Sequence, residues 1–539
     1  MNRTGPHLDR RDFLGGAAVL AGSGLISLTA LGASPQTAGP VVDTAAGKVR
    51  GSSQAGIHSF KGIPYGASTA GANRFMPPVK PQPWTGVREC MKYGHQSPQN
   101  MAFTDVLAPQ ADPSEGFTED CLVLNLWTPG VNDGRKRPVM FWIHGGGYSQ
   151  ESGSWPWIDG AALARRGDAV VITVNHRLNI FGYLHLGDIG GEKYAASGNA
   201  GMLDLVAALQ WVRDSIAQFG GDPGNVMIFG ESGGGAKTCM LLGMPAAKGL
   251  FHRAAIQSGS SLRGTPREDA AKVARSALDA LGISVRDVDA LQRLPVEKLL
   301  TLVARNGGPP PKDGLPRLGF SPVVDGRILP AHPFDPATPI SADIPLLVGC
   351  TQYEATLFTL QDSAVFTLDD AGMRARVKAM FTEPEASRLV DVYRKANPAA
   401  TPSDIFLLIY SDRLARRNAV RLSERKAAQG RASVHMYLFA WKSPALGGKL
   451  RSPHTVEIPF VFDNTDIPTV MTRAPSAREL AARVSSAWIA FARSGNPNCP
   501  QLPQWQAYDA QRRATMVFDN ECRVVNDPGS AERQAWGPA

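Results

Sequence analysis

Metal-site spacing is missing from this chain of 539 residues. Neither C-x-x-C nor H-E-x-x-H occurs among its six cysteines and ten histidines, so a zinc site has no support. There is no long Lys/Arg block. The formal net charge of +8 is spread thinly, a mild surface bias rather than a nucleic-acid footprint. No internal repeat, low-complexity tract or Pro/Gly/Ser linker divides the chain, which speaks against solenoids and strings of small domains. Past the N-terminus no segment is long and apolar enough to span a bilayer. What remains is an ordinary globular composition, 43% hydrophobic and 19% charged, with ample material for a large core.

The N-terminus reads differently. "DRRDFLGG" sets Arg10 and Arg11 before an apolar, Gly/Ala-rich run that begins at Gly15 and ends near Leu31. A charged stretch followed by such a run resembles a twin-arginine export signal. As a membrane anchor the run is short, and Gly15, Gly16, Gly22 and Gly24 weaken it as a spanning helix. Ala33 and Ala38 are candidate cleavage points. The expected division is a signal segment over 1–38 and a single domain over 39–539, exported to the periplasm or the medium.

Buried strands are announced by "PVMFWIHGGGY", "AVVITVNHR", "NVMIFG", "DIPLLVGC" and "SVHMYLFAW", continuous apolar runs suited to a sheet covered on both faces. Between two of them "NAGMLDLVAALQWVRDSIAQFG" carries Leu203, Val206, Leu209, Val212 and Ile216 at helical spacing. A second helical stretch runs from Glu268 to Leu281, and "RNGGPPPKDG" at 305–314 reads as a surface loop. Strands alternating with helices predict an α/β fold with a mainly parallel sheet.

"VMIFGESGGGAKT" admits two chemistries. G-x-S-x-G puts Ser232 on a tight strand-to-helix turn; G-x-x-x-x-G-K-[ST] would cradle phosphate with Lys237. The phosphate reading fails on register. Ala236 separates Gly235 from Lys237, and one helical step turns a side chain by about 100°. Lys237 then reads as a surface helix residue. The serine reading requires a base, an orienting acid and N–H donors for an oxyanion. On such a fold the chain order is serine, acid, histidine. "HGGGY" at the end of a buried strand supplies a donor loop, in which His144 reads as loop-shaping. Glu354 follows the strand in "PLLVGCTQYEA". Only His435 and His454 come later; His435 alternates within a strand, which leaves His454.

Taken together, "NRFMPP", "EDCLVLNLWTP", "HGGGY", "FGGDPGNVMIFGESGGG", "IQSGSS", "GCTQYEA" and "HTVEIPFVF" resemble the type-B carboxylesterases of the α/β-hydrolase fold, over about 41–508. The resemblance implies a large, mostly parallel sheet with helices on both faces and insertions over the active site. It implies Ser232 as nucleophile, Glu354 as acid and His454 as base. It implies the N–H groups of Gly146, Gly147 and Gly233 as oxyanion hole, a Cys90–Cys121 disulfide, a small-molecule ester as substrate and no cofactor. Lactonases, amidases and thioesterases use the same machinery, and some relatives that have lost the serine are adhesion modules. Three positions depart from the family: Gly233 replaces an alanine, which suggests a looser backbone, His176 a tyrosine and Leu205 a glutamine. Cys499 and Cys522 are left open as a second pair, and Cys239 and Cys350 read as buried thiols. Glu231 and Glu457, beside the catalytic positions, are expected to make structural hydrogen bonds. Tyr148, Trp155, Trp157, Phe181, Phe358 and Phe460 are candidates to line an apolar pocket or pack the core.

Overall fold

The apolar run around Phe141 forms strand β1 (Arg137–Ile143), with every residue buried. Six further strands lie beside it: β2 (Val170–Val174), β3 (Gly221–Glu231), β4 (Arg253–Gln257), β5 (Leu346–Thr351), β6 (Val434–Phe439) and β7 (Ala514–Phe518). Their spatial order is β2-β1-β3-β4-β5-β6-β7, and each neighbouring pair is parallel. Antiparallel strands extend both edges. Val123–Thr128, Ile57–Pro64, Gly47–Gln54 and Thr37–Thr44 continue beyond β2, and Arg523–Asn526 beyond β7. The computed structural model describes residues 36–100, 115–304, 316–467, 469 and 471–537. The expected signal segment, apart from its last residues, and the 305–314 loop lie outside these.

Pleating sorts the strand side chains between two cores, since successive residues point to opposite faces. Val139, Phe141 and Ile143 of β1 join Ile172, Ile228, Ile256 and Val348 on one face. Met140 and Trp142 join Val171, Phe229, Leu347 and Phe439 on the other. Helix α1 (Ala200–Ser215) and helix α2 (Gly233–Leu242) cover the first face with Leu205, Leu209, Val212 and Met240. Helix α3 (Pro475–Ser494) covers the second with Leu480, Val484, Trp488 and Phe491. This is the large sheet, covered on both faces, of the α/β-hydrolase fold. No helix of the described residues is long and apolar enough to cross a membrane.

One expectation, the disulfide, changes here, and two strands appear that the sequence did not announce. Strands β4 ("RAAIQ") and β7 ("ATMVF") carry short, small-residue sequences and give no run strong enough to read in advance. The implied Cys90–Cys121 bridge is not formed: both are free thiols enclosed in the first core. Burial pushes each up to about 12, which keeps them neutral and unreactive. Cys239 and Cys350 are buried free thiols as expected, and Cys499 and Cys522 are half-buried and unpaired.

Candidate active site

Strand β3 ends and α2 begins within two residues, and Ser232 occupies the corner with φ +55° and ψ −121°. Such a backbone is uncommon for a residue with a Cβ and is held only by its surroundings. The flanking glycines are required by space. A Cβ at Gly230 would lie 2.5 Å from the Ile143 carbonyl oxygen, and one at Gly234 only 2.0 Å from it. The turn is therefore pressed against the end of β1. The Ser232 N–H donates to the Gln257 carbonyl at 2.8 Å, and its own carbonyl accepts from Ala236 N–H at 3.0 Å.

Across the turn lies His454, in the loop after β6 and 6% exposed. Its Nδ1 is hydrogen-bonded to the Glu354 carboxylate. Glu354, also buried, is fixed from two other directions: Oε1 accepts from the Thr351 N–H at 2.7 Å and from Ser258 Oγ at 2.6 Å. His454 Nε2 lies 3.2 Å from Glu231 Oε1. Ser232 Oγ makes no hydrogen bond among the described residues.

Four acids surround this one imidazole. Burial works against a charged His454, but Glu231, Glu354 and Glu457 outweigh it and push its pKa up to about 10. Burial also holds Glu231 well above the carboxylate range, against the attraction of His454 and with repulsion from Glu457, Glu354 and Glu151. The two shifts compete. A carboxyl group packed among three others is most cheaply kept neutral, and a neutral Glu231 removes the strongest attraction on His454. The imidazole is then left chiefly to Glu354. Burial and Glu354 together raise Glu457 to about 7.

The glycine loop after β1 completes the corner. Gly146 and Gly147 have φ of +70° and +61°, and their N–H groups have no acceptor among the described residues. The expectation of a loose backbone at Gly233 is reversed. A Cβ there would fall 2.1 Å from the Gly147 carbonyl oxygen, so the loop and the serine turn touch where an alanine would not fit. Lys237 is likewise not a surface residue. It is fully buried, and its Nζ donates to the carbonyls of His144 at 3.0 Å and Gly145 at 3.2 Å. The helical step that takes it out of phosphate register turns it inward, toward the end of β1. Burial lowers its pKa to about 7 against the attraction of Glu151, and raises that of Glu151 to about 7. The rings of His144 and His176 stack at 4.8 Å, and burial with the Lys237 charge holds both well below the imidazole range.

Ser232, Glu354, His454 and the glycine loop are thus brought to one corner. Ser258 and Glu151 join them without having been singled out; Ser258 belongs to the quoted "IQSGSS", whereas nothing in the sequence around Glu151 signals its part. Glu457, expected to be structural, accepts from Ser258 Oγ at 3.4 Å, and Glu231 faces the imidazole. His435 is the buried strand side chain expected, edge-on to Trp505. Of the six aromatic candidates, Trp155, Trp157, Phe181 and Phe460 pack in the cores, and Tyr148 is partly buried. Phe358 is 49% exposed, its ring 4.9 Å from the His454 ring. No group of three or more His, Cys, Asp or Glu side chains among the described residues is arranged to hold a metal ion.

A nucleophile-type turn, a buried acid–imidazole pair and a facing glycine loop on such a sheet define an α/β-hydrolase acting on carboxylic esters. The model of the carboxylesterase family matches residues 38–536, and the chain belongs to that family. It is 38% identical to para-nitrobenzyl esterase of Bacillus subtilis over 505 residues, 93% of this chain and 99% of that one. Phenmedipham hydrolase of Pseudarthrobacter oxydans is 34% identical over 89% of this chain and 95% of its own. A crystal structure of a Geobacillus stearothermophilus carboxylesterase superposes with a TM-score of 0.78 at 40% identity, covering 92% and 99% of the two chains.

Proposed function

We propose that this ester hydrolase works through an acyl-enzyme, with Ser232 as nucleophile, His454 as base and Glu354 as the acid that orients it. The observation that carries this reading is the buried His454–Glu354 hydrogen bond set against the strained Ser232 turn. His454 Nε2 takes the Ser232 Oγ proton as Oγ bonds to the ester carbonyl carbon. The carbonyl oxygen gains the negative charge and is held by the N–H groups of Gly146, Gly147 and Gly233. Collapse breaks the bond to the alcohol oxygen, which leaves with the proton from Nε2. Water repeats the sequence and releases the acid. Glu354 fixes the tautomer and stabilises the imidazolium. Nε2 faces Glu231 in the resting geometry and turns toward Oγ when substrate binds, as catalytic hydrogen bonds commonly tighten in the complex.

Phe358, beside the imidazole, forms part of an apolar pocket wall. A panel of p-nitrophenyl esters of graded acyl length, with a p-nitrobenzyl ester after the Bacillus subtilis relative, tests both points. Ser232→Ala should lower kcat on the order of 10⁴-fold or more; equal activity in the two proteins would remove Ser232 as nucleophile. The chain-length profile of the wild type then reports the pocket. The reading further includes export of the protein under the direction of the arginine pair and apolar run near its N-terminus.

A further inference from the structure

We propose that buried Lys237 and half-buried Glu151 are a positioning pair that aims the oxyanion donors, by gripping the glycine loop from opposite sides of one peptide. The inference rests on the oxyanion role proposed above for that loop. A peptide unit is planar and trans, so its C=O and its N–H point in opposite directions. Lys237 Nζ holds the carbonyls of His144 and Gly145. The Gly145 carbonyl shares its peptide plane with the N–H of Gly146. Drawing that carbonyl toward Lys237 turns the Gly146 N–H the other way, out of the loop. The His144 carbonyl shares its plane with the N–H of Gly145, and the Glu151 carboxyl group lies against that residue, its Oε2 3.1 Å from where a Gly145 Cβ would stand and within reach of the N–H. Lys237 therefore pulls one end of the peptide and Glu151 the other, and the plane before the first donor has no freedom to rotate.

The rest of the surroundings serves the same clamp. Glu151 has a φ of +76°, a conformation that favours glycine, yet the residue there is a glutamate. Its backbone is held in that shape by a buried amide. Gln99 Oε1 accepts from the Glu151 N–H at 2.7 Å, and Gln99 Nε2 donates to the Glu151 carbonyl at 3.0 Å. A strained position secured this way points to a use for its side chain. Lys237 sits on α2, whose N-cap is Ser232, so one rigid element carries both the nucleophile and the group that sets the loop. The stacked, neutral His144 and His176 rings stand beside Lys237 without competing for its position by charge.

The test compares Lys237→Met, Glu151→Ala and Glu151→Gln in the full chain. The substrate is p-nitrophenyl butyrate, and the probes are an alkyl trifluoromethyl ketone and its methyl ketone counterpart. The first ketone forms an oxyanion with the serine; the second reports ground-state binding. Lys237→Met and Glu151→Ala should lower kcat about 10- to 100-fold, less than outright loss of a donor, with KM within about threefold. Trifluoromethyl ketone affinity should fall by the same factor as kcat/KM, and methyl ketone affinity should hold. Glu151→Gln keeps an acceptor for the Gly145 N–H and should restore most of the loss. If Lys237→Met fails to fold because the half-buried Glu151 is left without its partner charge, Glu151→Gln/Lys237→Met removes both charges and is read the same way. Wild-type kcat and trifluoromethyl ketone affinity in Lys237→Met, or in that double variant, would overturn the proposal, as would equal loss of both ketones. A wild-type enzyme that binds the trifluoromethyl ketone no better than the methyl ketone would instead overturn the oxyanion role itself.

Discussion

A methyl group at position 233 would meet the Gly147 carbonyl at a distance no pair of atoms tolerates, 2.1 Å. The neighbour is backbone, not a side chain that can swing aside, so the whole loop would have to retreat. In this chain the glycine lets the serine turn and the glycine loop touch. Gly233→Ala should therefore destabilise the protein by about 1–3 kcal/mol, the range for overpacking. It should also lower kcat on the order of tenfold, because the retreating loop carries the N–H groups of Gly146 and Gly147. Urea unfolding and p-nitrophenyl ester kinetics check the two parts. Unchanged values in both would mean the loop has slack that the observed contact conceals.

Elements differ in how openly they declare themselves. Strand β6 was readable from its apolar run, and the alternation within that run assigned His435 to a sheet side chain. Burial lowers that imidazole to about 4. Its folded value lies below the ordinary value of 6.5, so its neutral form contributes stability above pH 6.5. That contribution is lost as pH falls toward 4, because the unfolded chain takes up the proton and the folded chain does not. His435→Phe should remove this dependence. Relative to the variant, the wild type should lose about 1.4 kcal/mol per pH unit between those limits, measured by urea unfolding at several pH values. Parallel stability curves would contradict it. Long apolar runs made β1, β2, β3 and β5 legible in the same way, and the G-x-S-x-G glycines gave the turn. Strands β4 and β7 were not legible, because "RAAIQ" and "ATMVF" have little apolar mass and gain strand form from their neighbours. The inward turn of Lys237 was misread for a related reason: a lysine is judged exposed unless the carbonyls it will meet are already known. The positive φ of Glu151 leaves no trace in composition or period.

At the scale of the whole molecule, the site is a product of topology. The His144 loop, Ser232, Ser258, Glu354 and His454 follow the C-terminal ends of β1, β3, β4, β5 and β6, the edge where open parallel sheets place their ligands. Buried pairs tie distant segments to that sheet. Arg177 grips Asp204 and the Met76 carbonyl, and Arg74 grips Glu119 and the carbonyls of Leu291 and Leu294. The compact unit that results is Thr37–Ala539, and its first strand already pairs Thr37 with Ser53 and Ala38 with Ser52. This bears on the proposed export. Cleavage after Ala38 would remove both of those pairs from the sheet edge, whereas cleavage after Ala33 leaves the edge strand whole. The mature protein should accordingly begin at residue 34, read by intact mass or N-terminal sequencing of exported material. Changing Arg10 and Arg11 together to lysine should stop export of a folded reporter fused to the first 40 residues or so, because the paired arginines are the mark of the twin-arginine route. Undiminished export would refute the route, and a mature chain starting at residue 39 would show that the strand's first pairs are dispensable.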